Sequence, residues 1–126
     1  DELAQTLAAV GGQRLRRRAF DYPAAERARE YIHACFAQHI TLDTLANVSG
    51  RDRWSLSRDF RALFGASPWR YVMMRRLDFC RQRMLAGDNL ADIAAHAGFA
   101  DQRHMTRQFI SRFCLSPVRW LKFFRP

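Results

Sequence analysis

Lysine is nearly absent from this chain: of 21 basic residues, only Lys122 is not an arginine. The bias reads as a coding preference, and its chemical result is a set of planar forked donors suited to phosphate and to guanine. Cysteine is scarce too. Cys35, Cys80 and Cys114 are odd in number, far apart and set in apolar helical patterns, so they read as buried free thiols. No CxxC or HExxH spacing occurs, and His33 and Cys35, two apart on an expected helix, point to different faces. A metal site is therefore not expected. No Ser-His-Asp order with supporting context and no phosphate loop is present, which leaves catalysis without a site; neither an enzyme nor a cofactor is expected. No apolar run approaches the ~20 residues needed to span a bilayer, and no charged-then-apolar leader opens the chain, so a soluble, cytoplasmic protein with no membrane partner is expected. Aromatics free for base stacking look few outside Trp54, which disfavours RNA.

What is present is a 126-residue chain with 48% hydrophobic and 26% charged residues, the profile of one globular domain or of two very small subdomains. A formal net charge of +9 attracts polyanions, nucleic acid first and an anionic membrane surface second.

The chain opens on Asp1 rather than Met, and residues 1–22 read as a joint. Leu3, Leu7 and Val10 sit at helical spacing, and then two glycines, the basic run Arg16, Arg17, Arg18 and Pro23 break the pattern. The expectation is a short helix and linker from an upstream domain, with the basic run as a solvated face. From Pro23 onward no segment reads as a strand. Helical periodicity, first-turn prolines and short oxygen-bearing caps predict seven helices, about 23–38, 42–49, 53–64, 68–86, 90–97, 102–113 and 117–124. Thr41, Asp52, Ser67, Asn89, Asp101 and Ser116 are the expected N-caps, and Gly87 the left-handed residue after the long helix.

Two stretches repeat. "SRDFRALFGASPWRY" at 57–71 and "TRQFISRFCLSPVRW" at 106–120 share six of fifteen residues at an offset of 49: Arg58/Arg107, Phe60/Phe109, Phe64/Phe113, Ser67/Ser116, Pro68/Pro117 and Arg70/Arg119. Chance would give roughly one. Before each lies a short helix ending near Gly50 or Gly98, so the unit is helix, tight turn, helix. Leu45-Ala46 and Ile93-Ala94 lie 48 apart, which makes the second turn one residue longer. In the first post-turn helix Leu56, Phe60, Leu63 and Phe64 form the buried stripe, leaving Trp54, Ser57, Arg58 and Arg61 outward. In the second, Met105, Phe109 and Phe113 are buried, with Arg103, Thr106 and Arg107 outward and Gln102 beside them. Such a face on the second helix of a helix-turn-helix is the part that enters a DNA major groove.

Leu45-Ala46 with Gly50, "LSRDF" and "FGASPWRY", "RRLDFCRQRML", "IAAHAGFADQRHMTRQF" and "FCLSP" resemble, in order and spacing over about residues 25–122, the DNA-binding domain of AraC/XylS-type bacterial transcription regulators. The resemblance implies an all-α fold over 23–126, with one helix-turn-helix at about 42–64, a long linker helix at 68–86 and a second helix-turn-helix at about 90–113. It implies double-stranded DNA as partner, with RNA polymerase and an upstream effector or dimerisation domain as further candidates. The readers it implies are Trp54, Ser57 and Arg58 in the first unit and Gln102, Arg103, His104, Thr106 and Arg107 in the second. A linker helix of roughly 28 Å would suit recognition helices ~34 Å, one DNA turn, apart. Arg51 departs from the pattern where an apolar residue usually follows the turn glycine, Cys80 where alanine is common, and Cys114 where the first copy has Gly65. A cysteine at a left-handed cap leads one to expect a different start for the last helix.

Simpler readings compete. Trp54 could be a packing aromatic, and Arg58 and Arg107 could be ion-paired with Asp59 or Asp101. On the long helix, ion pairs and solvation are the default for Arg75, Arg81 and Arg83. Arg76 reads as structural, and Met73, Leu77, Cys80 and Met84 as core. The rival function is a basic helical module that recruits an acidic protein partner and shows no dependence on DNA sequence.

Overall fold

Among the described residues, apolar residues recurring every three to four positions fold as seven helices. The computed structural model describes residues 20–125. In chain order the helices are α1 (Tyr22–Cys35), α2 (Leu42–Ser49), α3 (Arg53–Phe64), α4 (Pro68–Leu85), α5 (Leu90–Ala97), α6 (Gln102–Phe113) and α7 (Pro117–Phe124), with no strand among the described residues. The short helix expected near the start and the run Arg16, Arg17, Arg18 lie outside the described residues.

Five of the expected caps are in place. Thr41, Asp52, Asn89, Asp101 and Ser116 each accept a first-turn amide, at 3.1 Å from Thr44, 3.0 Å from Ser55, 2.9 Å from Ala91, 2.7 Å from His104 and 3.3 Å from Arg119. A sixth was not anticipated: Asp21 Oδ1 accepts the Ala24 amide at 3.0 Å and starts α1. The Ser55 amide and hydroxyl hold the Asp52 carboxyl below its ordinary range, so the cap of α3 stays ionised in mild acid and is lost only as pH falls further. Gly87 takes φ 92°, with its own amide donating to Met84 and that of Asp88 to Arg83, the paired bonds of a left-handed helix stop.

The chain divides into two compact units. One gathers residues up to Tyr31 with Thr41–Pro68, and the other Ile32–Ile40 with Trp69–Pro126. In the first, Ala24, Ala25 and Ala28 present a small-residue face and are buried, as are Leu45, Ala46, Leu56 and Phe60. Leu63 and Phe64, expected in the buried stripe, are half-buried; Phe64 packs edge-on to Phe60 at 4.8 Å between ring centres. The second core joins Leu77, Cys80 and Met84 to Ile93, Ala94, Ala97, Phe99, Met105, Phe109 and Trp120. Met73 and Phe113 lie half-buried against it. Truncating a fully buried ring such as Phe60 or Phe109 costs about 3–5 kcal/mol in comparable cores.

Helix α1 stops three residues earlier than its apolar pattern suggested, at Cys35 rather than 38. There the chain turns, Gln38 N–H donating back to Cys35 O rather than to the carbonyl four residues earlier. Arg76, a residue 5% exposed, holds the bend that follows, donating from Nε to the Phe36 carbonyl at 2.7 Å and from Nη2 to the Gln38 carbonyl at 3.0 Å. Carbonyls beyond the helix end are thus satisfied by a cation, which stacks over Trp69 at 5.6 Å. Burial lowers the Arg76 pKa, but it remains a cation at neutral pH. The other α4 arginines follow the default reading: Arg75 and Arg81 pair with Asp78, and Arg83 with Asp88.

The cysteines do not share one environment: Cys80 is buried, Cys35 half-buried and Cys114 exposed. Cys114 lies past the end of α6 in the left-handed region, φ 62°, and donates its amide to Ile110 at 2.8 Å, so its side chain leaves the core. The last helix nonetheless begins at Pro117 behind Ser116, the counterpart of Pro68 at the start of α4; the thiol tolerates the conformation glycine holds at 65.

Two measurements probe this architecture. Arg76→Ala removes the donors from the part-buried Phe36 and Gln38 carbonyls and should lose about 2–4 kcal/mol in urea unfolding, with Arg76→Lys falling between it and wild type. Burial pushes the Cys80 thiol up to about 12. The stability that shift supplies is complete below the free-thiol value and fades as pH rises through about 12. Under native conditions near pH 8, iodoacetamide should modify Cys114 first, Cys35 more slowly and Cys80 only on unfolding; early labelling of Cys80 would contradict its burial.

Candidate nucleic-acid interface

Each unit holds a short helix, a left-handed glycine and a 12-residue helix. In the first, Gly50 at φ 80° donates to the Ala46 carbonyl at 2.9 Å. Buried Ser49 donates its hydroxyl to the same carbonyl at 2.8 Å and accepts the Arg51 amide at 3.1 Å, while Arg27 Nη2 donates to the Ser49 carbonyl at 2.6 Å. The turn runs Gly50, Arg51, Asp52 before α3, and the second runs Gly98, Phe99, Ala100, Asp101 before α6, one residue longer as the 48/49 offset requires.

The two turns are secured differently. Phe99 is 5% exposed and meets the His104 ring edge-on at 5.3 Å. Arg51, in the equivalent position, stays at the surface and pairs with Asp21 at 3.6 Å. A Cβ on Gly98 would lie 2.7 Å from the Ala37 carbonyl oxygen, so the second turn requires glycine for space as well as for its φ of 94°.

On α3, Trp54 is 70% exposed, which removes it from the core; Arg58 and Arg61 are exposed and Ser57 half-buried. Arg61 has no ion-pair partner among the described residues. Arg58 does have one: its Nε and Nη2 both reach Asp59 Oδ1 at 3.0 Å, and its guanidinium carbon lies 5.1 Å from the Trp54 ring centre and 5.6 Å from that of Phe20. The ion-pair alternative is thus realised at Arg58 while the side chain remains 43% exposed. On α6, Gln102, Arg103 and Arg107 are exposed and Thr106 half-buried. Arg107 has no hydrogen-bond or ion-pair partner among the described residues, since Asp101 caps the helix instead. His104 is half-buried, its ring against Phe99, unlike the exposed Gln102, Arg103 and Arg107.

Sequence reasoning offered Asp59 as a surface partner for Arg58 but missed its burial, which organises the first face. Asp59 is 1% exposed on a helix otherwise buried through Leu56 and Phe60, and its Oδ2 accepts the Asp21 amide at 3.0 Å. The available signal was a carboxylate at a core-flanking phase next to Phe60, because a charge there must be partnered. Exposed aromatics also exceed the expectation: Tyr22, Trp69, Phe123 and Phe124 join Trp54 at the surface.

A family model described as a helix-turn-helix domain matches residues 45–122. The chain belongs to the AraC/XylS-type transcription regulators. It is a sequence-specific DNA-binding domain of that family and not an enzyme. Among its relatives is the probable transcription factor PqrA of Proteus vulgaris, 35% identical over 82 residues, which are 64% of this chain and 67% of that one. The virulence regulon transcriptional activator VirF of Yersinia enterocolitica is 28% identical over 93 residues, 73% of this chain but 34% of that protein, so the AraC-type chain spans about a third of VirF. In fold it is similar to the DNA-binding domain of AdpA, solved in complex with a target DNA: TM-score 0.70 at 24% identity, covering 83% of this chain and 95% of that one. No helix among the described residues is long and apolar enough to cross a membrane.

The turns yield a graded expectation for thermal or urea unfolding. A Cβ at Gly65 would meet nothing within 4 Å, so Gly65→Ala should lose only the left-handed penalty of about 1 kcal/mol. Gly98→Ala adds a backbone collision and should exceed that loss by at least about 1–2 kcal/mol. Equal losses would mean that the approach to Ala37 relaxes without cost.

Proposed function

We propose that α3 and α6 read successive major-groove segments of one duplex, with Arg58 and Arg107 addressing base edges, Arg103 beside Arg107 on the second reading face, and Arg61 addressing phosphate. The observation that carries this reading is the recurrence of an outward arginine at the same position of both 12-residue helices. An arginine end-on to guanine donates to O6 and N7 together, whereas phosphate contacts fix register without reading sequence. Trp54, Ser57, Gln102 and Thr106 complete the two faces, with Thr106 placed for a thymine methyl or a phosphate. His104 borders the second face, its ring tied to Phe99.

In this reading residues 1–22 lead in from an upstream effector or dimerisation domain and 23–126 form the DNA-binding domain. The two thirds of VirF that lie beyond the matched length support such an arrangement. RNA polymerase is the further protein partner, and the cytoplasm the place of action.

Selection from randomised duplexes by wild type, Arg58→Ala, Arg107→Ala and Arg61→Ala, with helicity checked by circular dichroism, tests the assignment. Arg58→Ala and Arg107→Ala should each lose ~1–3 kcal/mol and relax one or two base pairs, the two sets lying about one DNA turn apart. Arg61→Ala should weaken all duplexes nearly equally and reduce the slope of log affinity against log salt by about one. Folded arginine variants that keep the full wild-type motif would refute the assignment, and a wild-type pool with no motif would favour the protein-recruiting module.

A further inference from the structure

The two outward arginines hold equivalent positions but not equivalent surroundings. Arg58 is followed by Asp59, whereas Arg107 is followed by Gln108. Neighbouring residues on a helix point about 100° apart and do not ordinarily face each other. Arg58 nevertheless folds back onto Asp59, which is 1% exposed and cannot swing away to solvent. The carboxylate is fixed from its other side as well, since Oδ2 accepts the Asp21 amide.

Guanidinium carries five N–H donors. Asp59 Oδ1 takes the Nε–H and one Nη2–H, both on the same side of the fork. The two Nη1 hydrogens and the second Nη2 hydrogen remain, and one from each nitrogen forms the end of the fork that addresses O6 and N7 of guanine in the bidentate mode. Trp54 and Phe20 limit rotation of the guanidinium plane. On α6 no carboxylate grips Arg107.

We infer that Asp59 is a specificity-determining positioning residue, which holds Arg58 with the end of its fork presented to a guanine before DNA arrives. The inference rests on the reading of Arg58 as a base-contacting residue. Fixing a long side chain in advance removes part of its ordering cost on binding, and the ordering of one such side chain amounts to roughly 2–10-fold in affinity. A buried negative charge behind the reading face also opposes phosphate, so Asp59 trades non-specific attraction for selectivity.

The test uses the whole 126-residue chain, the duplex motif recovered by wild type, and the same motif altered singly at the pair assigned by Arg58→Ala or by Arg107→Ala. Asp59→Asn keeps an acceptor for the Asp21 amide and removes the charge. It should lower discrimination at the Arg58 pair ~2–10-fold, leave the Arg107 pair unchanged and raise affinity for motif-free duplex. Gln108→Asp should sharpen discrimination at the Arg107 pair. In nitrogen NMR the Arg58 Nε–H should be protected from exchange in wild type and lose that protection in Asp59→Asn, while Arg107 Nε–H gains protection in Gln108→Asp.

Unchanged discrimination in Asp59→Asn, or a loss spread equally over every position, overturns the inference while leaving the reading of Arg58 intact. A motif unaltered by Arg58→Ala overturns both. Should Asp59→Asn lose helicity, Gln108→Asp decides, and a failure to sharpen the Arg107 pair counts against the inference.

Discussion

A helix can leave a three- or four-residue turn in a fixed direction only if the backbone reverses its hand there, and residues 50 and 98 meet that requirement with φ of 80° and 94°. Each glycine ends one helix by returning its amide to that helix, and within three residues an aspartate begins the next by accepting a first-turn amide. Every exposed side chain on α3 and α6 inherits its direction from this pair of events. The second turn is the more constrained, because Gly98 lies against the Ala37 carbonyl. Ala37 in turn belongs to the bend that Arg76 closes through its bonds to Phe36 and Gln38. A residue buried in α4 thereby helps fix the floor under the turn that launches α6.

The sequence made most of this legible because the governing signals are local. Caps, glycine stops and apolar spacing act over four residues or fewer, and they placed α2, α3, α5, α6 and α7 at their observed bounds. What escaped depended on partners distant in the chain. The bend after α1 is held by a guanidinium some 40 residues away. Asp59 reads as a surface acid until the Asp21 amide is brought to it across 38 residues. Cys114 shared an apolar pattern with true core residues, but one left-handed residue turned it outward. At the reading faces, exposure of Trp54, Arg58, Arg61, Arg103 and Arg107 followed from helical phase alone. The Arg58–Asp59 pair was among the alternatives the sequence offered; the contact of Arg58 with Phe20 and the ring contact of His104 with Phe99 were not, since both partners lie outside the recognition helices.

The two copies keep a common core position and common helix starts and differ in what secures their turns. Phe60 and Phe109 fill corresponding positions, and the serine-proline starts of α4 and α7 are retained. Elsewhere the second copy has a buried Phe99 where the first has an ion-paired Arg51, and a left-handed cysteine where the first has a left-handed glycine. Each exchange keeps a backbone direction while altering what secures it.

The near-exclusion of lysine from these helices bears on how the protein can be modified. Acylating and other amine-directed reagents neutralise lysine but leave guanidinium charged. The outward faces of α3 and α6 carry no lysine, and exposed Lys122 on α7 is the chain's one ε-amine. Chemistry that would silence a lysine-built polyanion-binding surface therefore leaves the charge on both of these faces intact.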